Sequence, residues 1–142
     1  MLFRFSGLAA SLLLLSAGAV QATPKPVMQE LFSSSRTLGG RVVAYPAGTP
    51  EMRIYRITLP SGAKIPLHTH PSPVVVLVEK GALTNVRVVD GVEETSVVKA
   101  GDGFLEGHPG EPHYVVNQGD EPVVSLVTFA SVEGMPNMIR ME

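Results

Sequence analysis

The chain has 142 residues, enough for one ordinary domain and too few for two. Its net charge is −2 at neutral pH and no run of Lys and Arg forms a basic stripe, which argues against a nucleic-acid partner. The absence of cysteine excludes disulfides, thiol catalysis and Cys-type zinc sites. Fourteen Gly and twelve Pro favour short strands and tight turns over a helical bundle.

Residues 1–22 carry a secretory pattern. Arg4 is the only charge, an apolar run begins at Leu8, and Val20-Gln21-Ala22 places small residues where a signal peptidase reads. The run is shorter than the ~20 residues that span a bilayer, and Pro24 and Pro26 stop any longer helix. A cleaved signal peptide is therefore expected, with an uncleaved anchor as the rival reading. Export without cysteine suits a periplasmic or secreted protein that has no membrane contact after cleavage.

Residues 23–40 read as an N-terminal arm, with a short helix expected over 27–32 before Ser33, Ser34, Ser35 and the Gly39-Gly40 pair. From Arg41 the chain becomes a series of β-signals over residues 41–45, 52–59, 64–70, 74–78, 83–89, 92–98, 104–106, 113–117 and 123–130. Tyr55, Ile57 and Leu59 alternate with Arg56 and Thr58, the period of a half-buried strand. The unbroken apolar run Val74-Val75-Val76-Leu77-Val78 predicts a strand buried on both faces. Asp90-Gly91 is a strong hairpin signal. Turns recur at the spacing of a sandwich or barrel, so the expected fold is all-β, with one domain over 41–130 and a C-terminal tail over 131–142.

The four histidines, His68, His70, His108 and His113, fall in two short segments. Residues two apart in a strand share a face, so His68 and His70 offer two imidazoles side by side. His113 opens a later strand and can supply a third ligand. The competing reading is three unrelated structural histidines, which the pairing and the surrounding turn glycines disfavour. Glu106 follows Phe104 by two residues, so an inward Phe104 would turn Glu106 inward as a metal ligand or an acid/base group; a solvent-facing rim glutamate is the alternative. Glu79 reads as exposed, Glu111 as lining a mouth, and Asn117 as a turn-holding residue.

These residues resemble the cupins. Gly62, the His68-x-His70 pair and Gly81 fit the family's first motif, and Gly110, His113 and Asn117 fit its second. The resemblance implies a cupin-type β-barrel, or double-stranded jelly roll, with His68, His70 and His113 around one divalent metal ion. Val74 stands where the family's usual glutamate ligand falls. Three neutral imidazoles can hold Zn, Fe, Mn, Ni or Cu, as in the thiol dioxygenases with iron on three histidines; an empty pocket is the alternative. His108 is a candidate second-shell donor or ligand contact, and Val74, Phe104, Tyr114 and Tyr55 are candidate walls, with core packing the default for the aromatics. The resemblance also implies a homodimer. Two functions stay open: a module that binds a small molecule, and a metal-dependent enzyme of dioxygenase or isomerase type.

No other motif carries chemistry. Gly101-Asp102-Gly103 precedes no helix that would bind phosphate, and no serine has a nucleophile's context. Met135, Met138 and Met141 recur every three residues, which suits apolar packing better than a thioether site for Cu(I).

Overall fold

A computed structural model describes residues 23–141, and the leader assigned to residues 1–22 lies outside them. Nine strands follow in order: β1 (Pro50–Leu59), β2 (Lys64–Thr69), β3 (Val74–Lys80), β4 (Ala82–Val89), β5 (Val92–Lys99), β6 (Gly103–Glu106), β7 (His113–Val116), β8 (Val123–Val132) and β9 (Ile139–Arg140). No helix occurs among the described residues. The strands form two antiparallel sheets, β1-β8-β3-β6 and β5-β4-β7-β2-β9, whose inner faces share one core.

The sequence explains the pairing. In β8, Val123, Ser125, Val127, Phe129 and Ser131 are buried while the residues between them are half-exposed. This is the period-2 pattern of a strand with one face on the core. The β4–β5 hairpin closes at Asp90 (φ 51°) and Gly91 (φ 80°), the two left-handed positions that a two-residue type I′ turn requires. The fold is the expected all-β jelly roll.

Three local expectations are corrected. Residues 27–32 are not helical. Val27, Met28 and Leu31 are exposed, so a short helix there would have no apolar surface to stabilise it. Residues 41–45 form no strand beyond one bridge between Arg36 and Val42. The arm instead folds on itself through a Gly39-Gly40 turn, with Thr37 and Arg41 hydrogen-bonded. β3 is not buried on both faces: Val74, Val76 and Val78 are, whereas Val75 is 37% exposed. Toward β6 the outer face of its sheet is covered by the arm, where the Leu38 amide bonds the Leu105 carbonyl and Phe32 lies against Gly103.

Candidate metal centre

The site forms where the two sheets meet. His68 lies on β2 directly opposite His113 on β7. A register shift in β2 between Ile65 and His68 re-aims the strand end. His70 follows just past β2. All three imidazoles are buried, with ring centroids 4.3, 4.8 and 5.2 Å apart.

Backbone carbonyls set the tautomer of every ring. His68 Nδ1 lies 2.7 Å from Pro66 O, His70 Nδ1 2.7 Å from Asn137 O, and His113 Nδ1 3.0 Å from Glu111 O. A carbonyl only accepts, so each Nδ1 carries the proton and each Nε2 presents a lone pair. The Nε2 atoms of His68 and His70 are 3.2 Å apart with no proton to share.

Glu106 completes the cluster. Its Oε2 is 3.2 Å from His70 Nε2 and its Oε1 3.2 Å from His113 Nε2, while Asn85 Nδ2 donates to Oε1 at 2.6 Å. His113 Nε2 is buried and out of line for a hydrogen bond with Glu106, so its lone pair is unclaimed. Burial and the neighbouring His113 hold His68 down to about 4. Burial pushes the Glu106 carboxyl up, but the electrostatic influence of His113 and His70 beside it outweighs this and holds the group well below the usual carboxylate range. Burial lowers His113, and Glu106 more than reverses this, so its net shift is upward.

This donor set fits a cation. Two donors each 2.0–2.1 Å from one ion sit about 3.0–3.4 Å apart, which is the spacing of the His68–His70, His70–Glu106 and His113–Glu106 pairs. A shared ion would relieve both the facing lone pairs and the carboxylate set against them. The ring nitrogens of His68, His70 and His113 all lie within 4.8 Å of one another.

The cupin-domain family model Cupin_2 matches residues 55–129, more than half of the chain and all of this cluster. The chain is a cupin. Among solved structures it is similar to a point mutant of Bacillus subtilis oxalate decarboxylase (27% identity, TM-score 0.54, covering 66% of this chain and 24% of that one). It is also similar to the Lactobacillus farciminis oxalate decarboxylase formate complex (26%, 0.52, 67% and 27%). Vicilin from hazelnut, Corylus avellana, shares the fold at 19% identity (TM-score 0.52, 62% and 25%). The chain thus spans about a quarter of the length of these structures. No curated protein sequence matches it.

The other candidates sort as follows in this cupin. Phe104 is 2% exposed and walls a cavity beneath the cluster. Val74 is fully buried and pairs in register with Glu106. Tyr114 is corrected as a wall: its hydroxyl donates to Glu93 and Lys64 Nζ lies over its ring, both on the outer surface. His108 Nδ1 accepts from the Gly110 amide, and His108 is not one of the three clustered histidines. Tyr55 is 43% exposed and meets Phe129 edge-on. Glu79 pairs with Arg56. Glu111 is buried near Arg41 and serves His113 through its carbonyl. Asn117 holds its turn through Leu59 O and Glu121 O. Of the methionines, Met138 lines the cavity.

Sequence reasoning missed Asn85, Asn137, Arg53 and Arg87. Arg53 holds the C-terminal segment through Met135 O and Asn137 Oδ1, and this places Asn137 O against His70. Arg87, the register partner of His113, bonds Glu94 and lines a small cleft behind Glu106. Only contacts distant in sequence reveal these roles.

Proposed function

We propose that this cupin binds one divalent metal ion through His68, His70, His113 and Glu106 and presents it to a small molecule inside the barrel. The observation that carries this reading is the set of three Nδ1–carbonyl bonds, which turns three Nε2 lone pairs toward one another beside an ionised carboxylate. Glu106 takes the part that Val74 leaves open. The two residues face each other across β6 and β3, and directly paired residues project to the same side. An oxygen donor beside three nitrogens suits Mn and Fe(II) as well as Zn, Ni or Cu. A bound ion would supply Lewis-acid chemistry to a ligand oxygen or water.

The same carboxylate favours a second reading, a metal-dependent enzyme with Glu106 as acid/base. It lines the cavity and is placed to hold or move a proton beside a bound ligand. Export through the 1–22 leader to the periplasm is part of the proposal, as is a second copy of the chain as partner. The outer face of the β1-β8-β3-β6 sheet supports that partner, with Met52 64% and Ile54 69% exposed on β1 and Val75 exposed two strands away on β3.

Titration of metal-free protein with Mn(II) tests the ligand set. Glu106→Gln should weaken uptake at least about tenfold, by analogy with the loss of a metal-orienting group. Val74→Glu in that variant should recover much of it, and Val74→Glu alone should gain little. Equal uptake by parent and Glu106→Gln would remove Glu106 from the site.

A further inference from the structure

A cavity of about 80 Å³ runs from the His68, His70 and Glu106 side chains into the barrel. Eleven of its fifteen lining residues are hydrophobic, among them Leu59, Leu83, Val127, Phe129 and Met138. The other four are His68, His70, Glu106 and Ser125, so no Lys or Arg among the described residues reaches it. Arg87 lies in the separate cleft, whose volume of about 10 Å³ leaves room for no more than a water.

Ser125 is the unexplained group. It is 4% exposed, it belongs to the inward face of β8 with Val123 and Val127, and its hydroxyl has no hydrogen-bond partner. A buried hydroxyl left unpaired is costly, whereas Ala at this place would carry no such cost. Phe129, which packs edge-on against His70, and Ser125 are four residues apart on one strand. That spacing is roughly 13 Å. The cavity therefore has polar groups at the histidine cluster and one hydroxyl further along β8, with hydrocarbon between them and beyond, at Val123 and Leu59.

We infer that the cavity selects a slim, uncharged aliphatic molecule with a metal-coordinating atom at one end and a hydroxyl or carbonyl at the other, the far end hydrogen-bonded to Ser125 Oγ. This rests on the proposed metal centre. The volume, about half of the ~150 Å³ of a cavity that accommodates benzene, limits the occupant to a small molecule. A charged far end is excluded by chemistry. Its ion would lie against Leu and Val side chains with one hydroxyl as its only partner, and burial of an unpaired charge is prohibitive.

Three thiols of one length separate the terms: 4-mercapto-1-butanol, 1-butanethiol and 4-mercaptobutanoate. A chain without cysteine cannot exchange disulfides with them. Metal-free protein is first titrated with Zn(II), and the loaded protein is then titrated with each thiol by calorimetry. The expected order is hydroxyl tighter than methyl by roughly three- to tenfold, with the carboxylate weaker than both. Ser125→Ala should abolish the advantage of the hydroxyl and leave 1-butanethiol unchanged. Zinc uptake followed by carboxylate binding as tight as the alcohol, or by equal losses of both neutral thiols in Ser125→Ala, would overturn this inference and leave the metal reading standing. Failure to take up zinc and, in its place, any of Fe, Mn, Ni and Cu would overturn the metal reading and this inference with it.

Discussion

Glu106 and Asn85 show how little of a polar cluster is visible along the chain. They are 21 residues apart, yet the Asn85 amide fixes the carboxylate oxygen that faces His113. Asn85→Ala is expected to weaken metal uptake about tenfold, the usual effect of losing a group that orients a ligand. A parallel melting curve checks that the variant stays folded. Protonation gives a second prediction, read by imidazole NMR on metal-free protein. His68 should titrate near 4 and His113 above its ordinary 6.5. Because the pKa of His113 is raised in the folded state, its pairing with Glu106 stabilises the metal-free fold below pH 6.5. That contribution fades as pH rises through the raised value. Glu106→Gln should bring His113 down; an unchanged titration would show that the carboxylate does not act on it. The three histidines were legible because same-face spacing and strand onset are local signals. Whether Glu106 faced inward was not, since its orientation depends on the pairing of β6 with β3.

Among the elements, the turns and the C-terminal segment hold the centre together. Gly107 follows Glu106 at φ 110°, and a Cβ there would collide with the Ser72 carbonyl and Pro73 backbone. Gly107→Ala should therefore cost about 3 kcal/mol or more, since strain and clash act together and backbone cannot swing aside. Gly91→Ala has open space and carries only the left-handed backbone penalty, about 1 kcal/mol. Denaturant melts that rank the two equally would contradict this account of Gly107. β9 was illegible because two residues have no periodicity; it is placed by pairing with β2 at His68 and Thr69. The short helix expected over 27–32 does not form, because the exposed Val27 and Met28 meet nothing that would bury an apolar face.

For the whole molecule, alternation and turn chemistry were enough to define an all-β domain, with glycine turns after β3, β4, β5 and β6, and the resemblance to the cupins supplied the jelly roll. Its ligand was not legible, since the cavity combines side chains from both sheets. Metal bound only to the native state adds about 2.7 kcal/mol at one hundred times its Kd. For a domain of this size that is roughly 10 °C in Tm, which chelation should remove. Sedimentation at micromolar concentration is expected to show a dimer, and a monomer alone would remove the second copy from the proposal. The most direct test of the metal centre is the stoichiometry of uptake, measured by elemental analysis after metal-free protein is equilibrated in turn with Zn, Fe, Mn, Ni and Cu. About one ion per chain is predicted for the parent with at least one of them, and none after His68→Ala with His70→Ala. No uptake of any of the five, or uptake unchanged in the double variant, would contradict it.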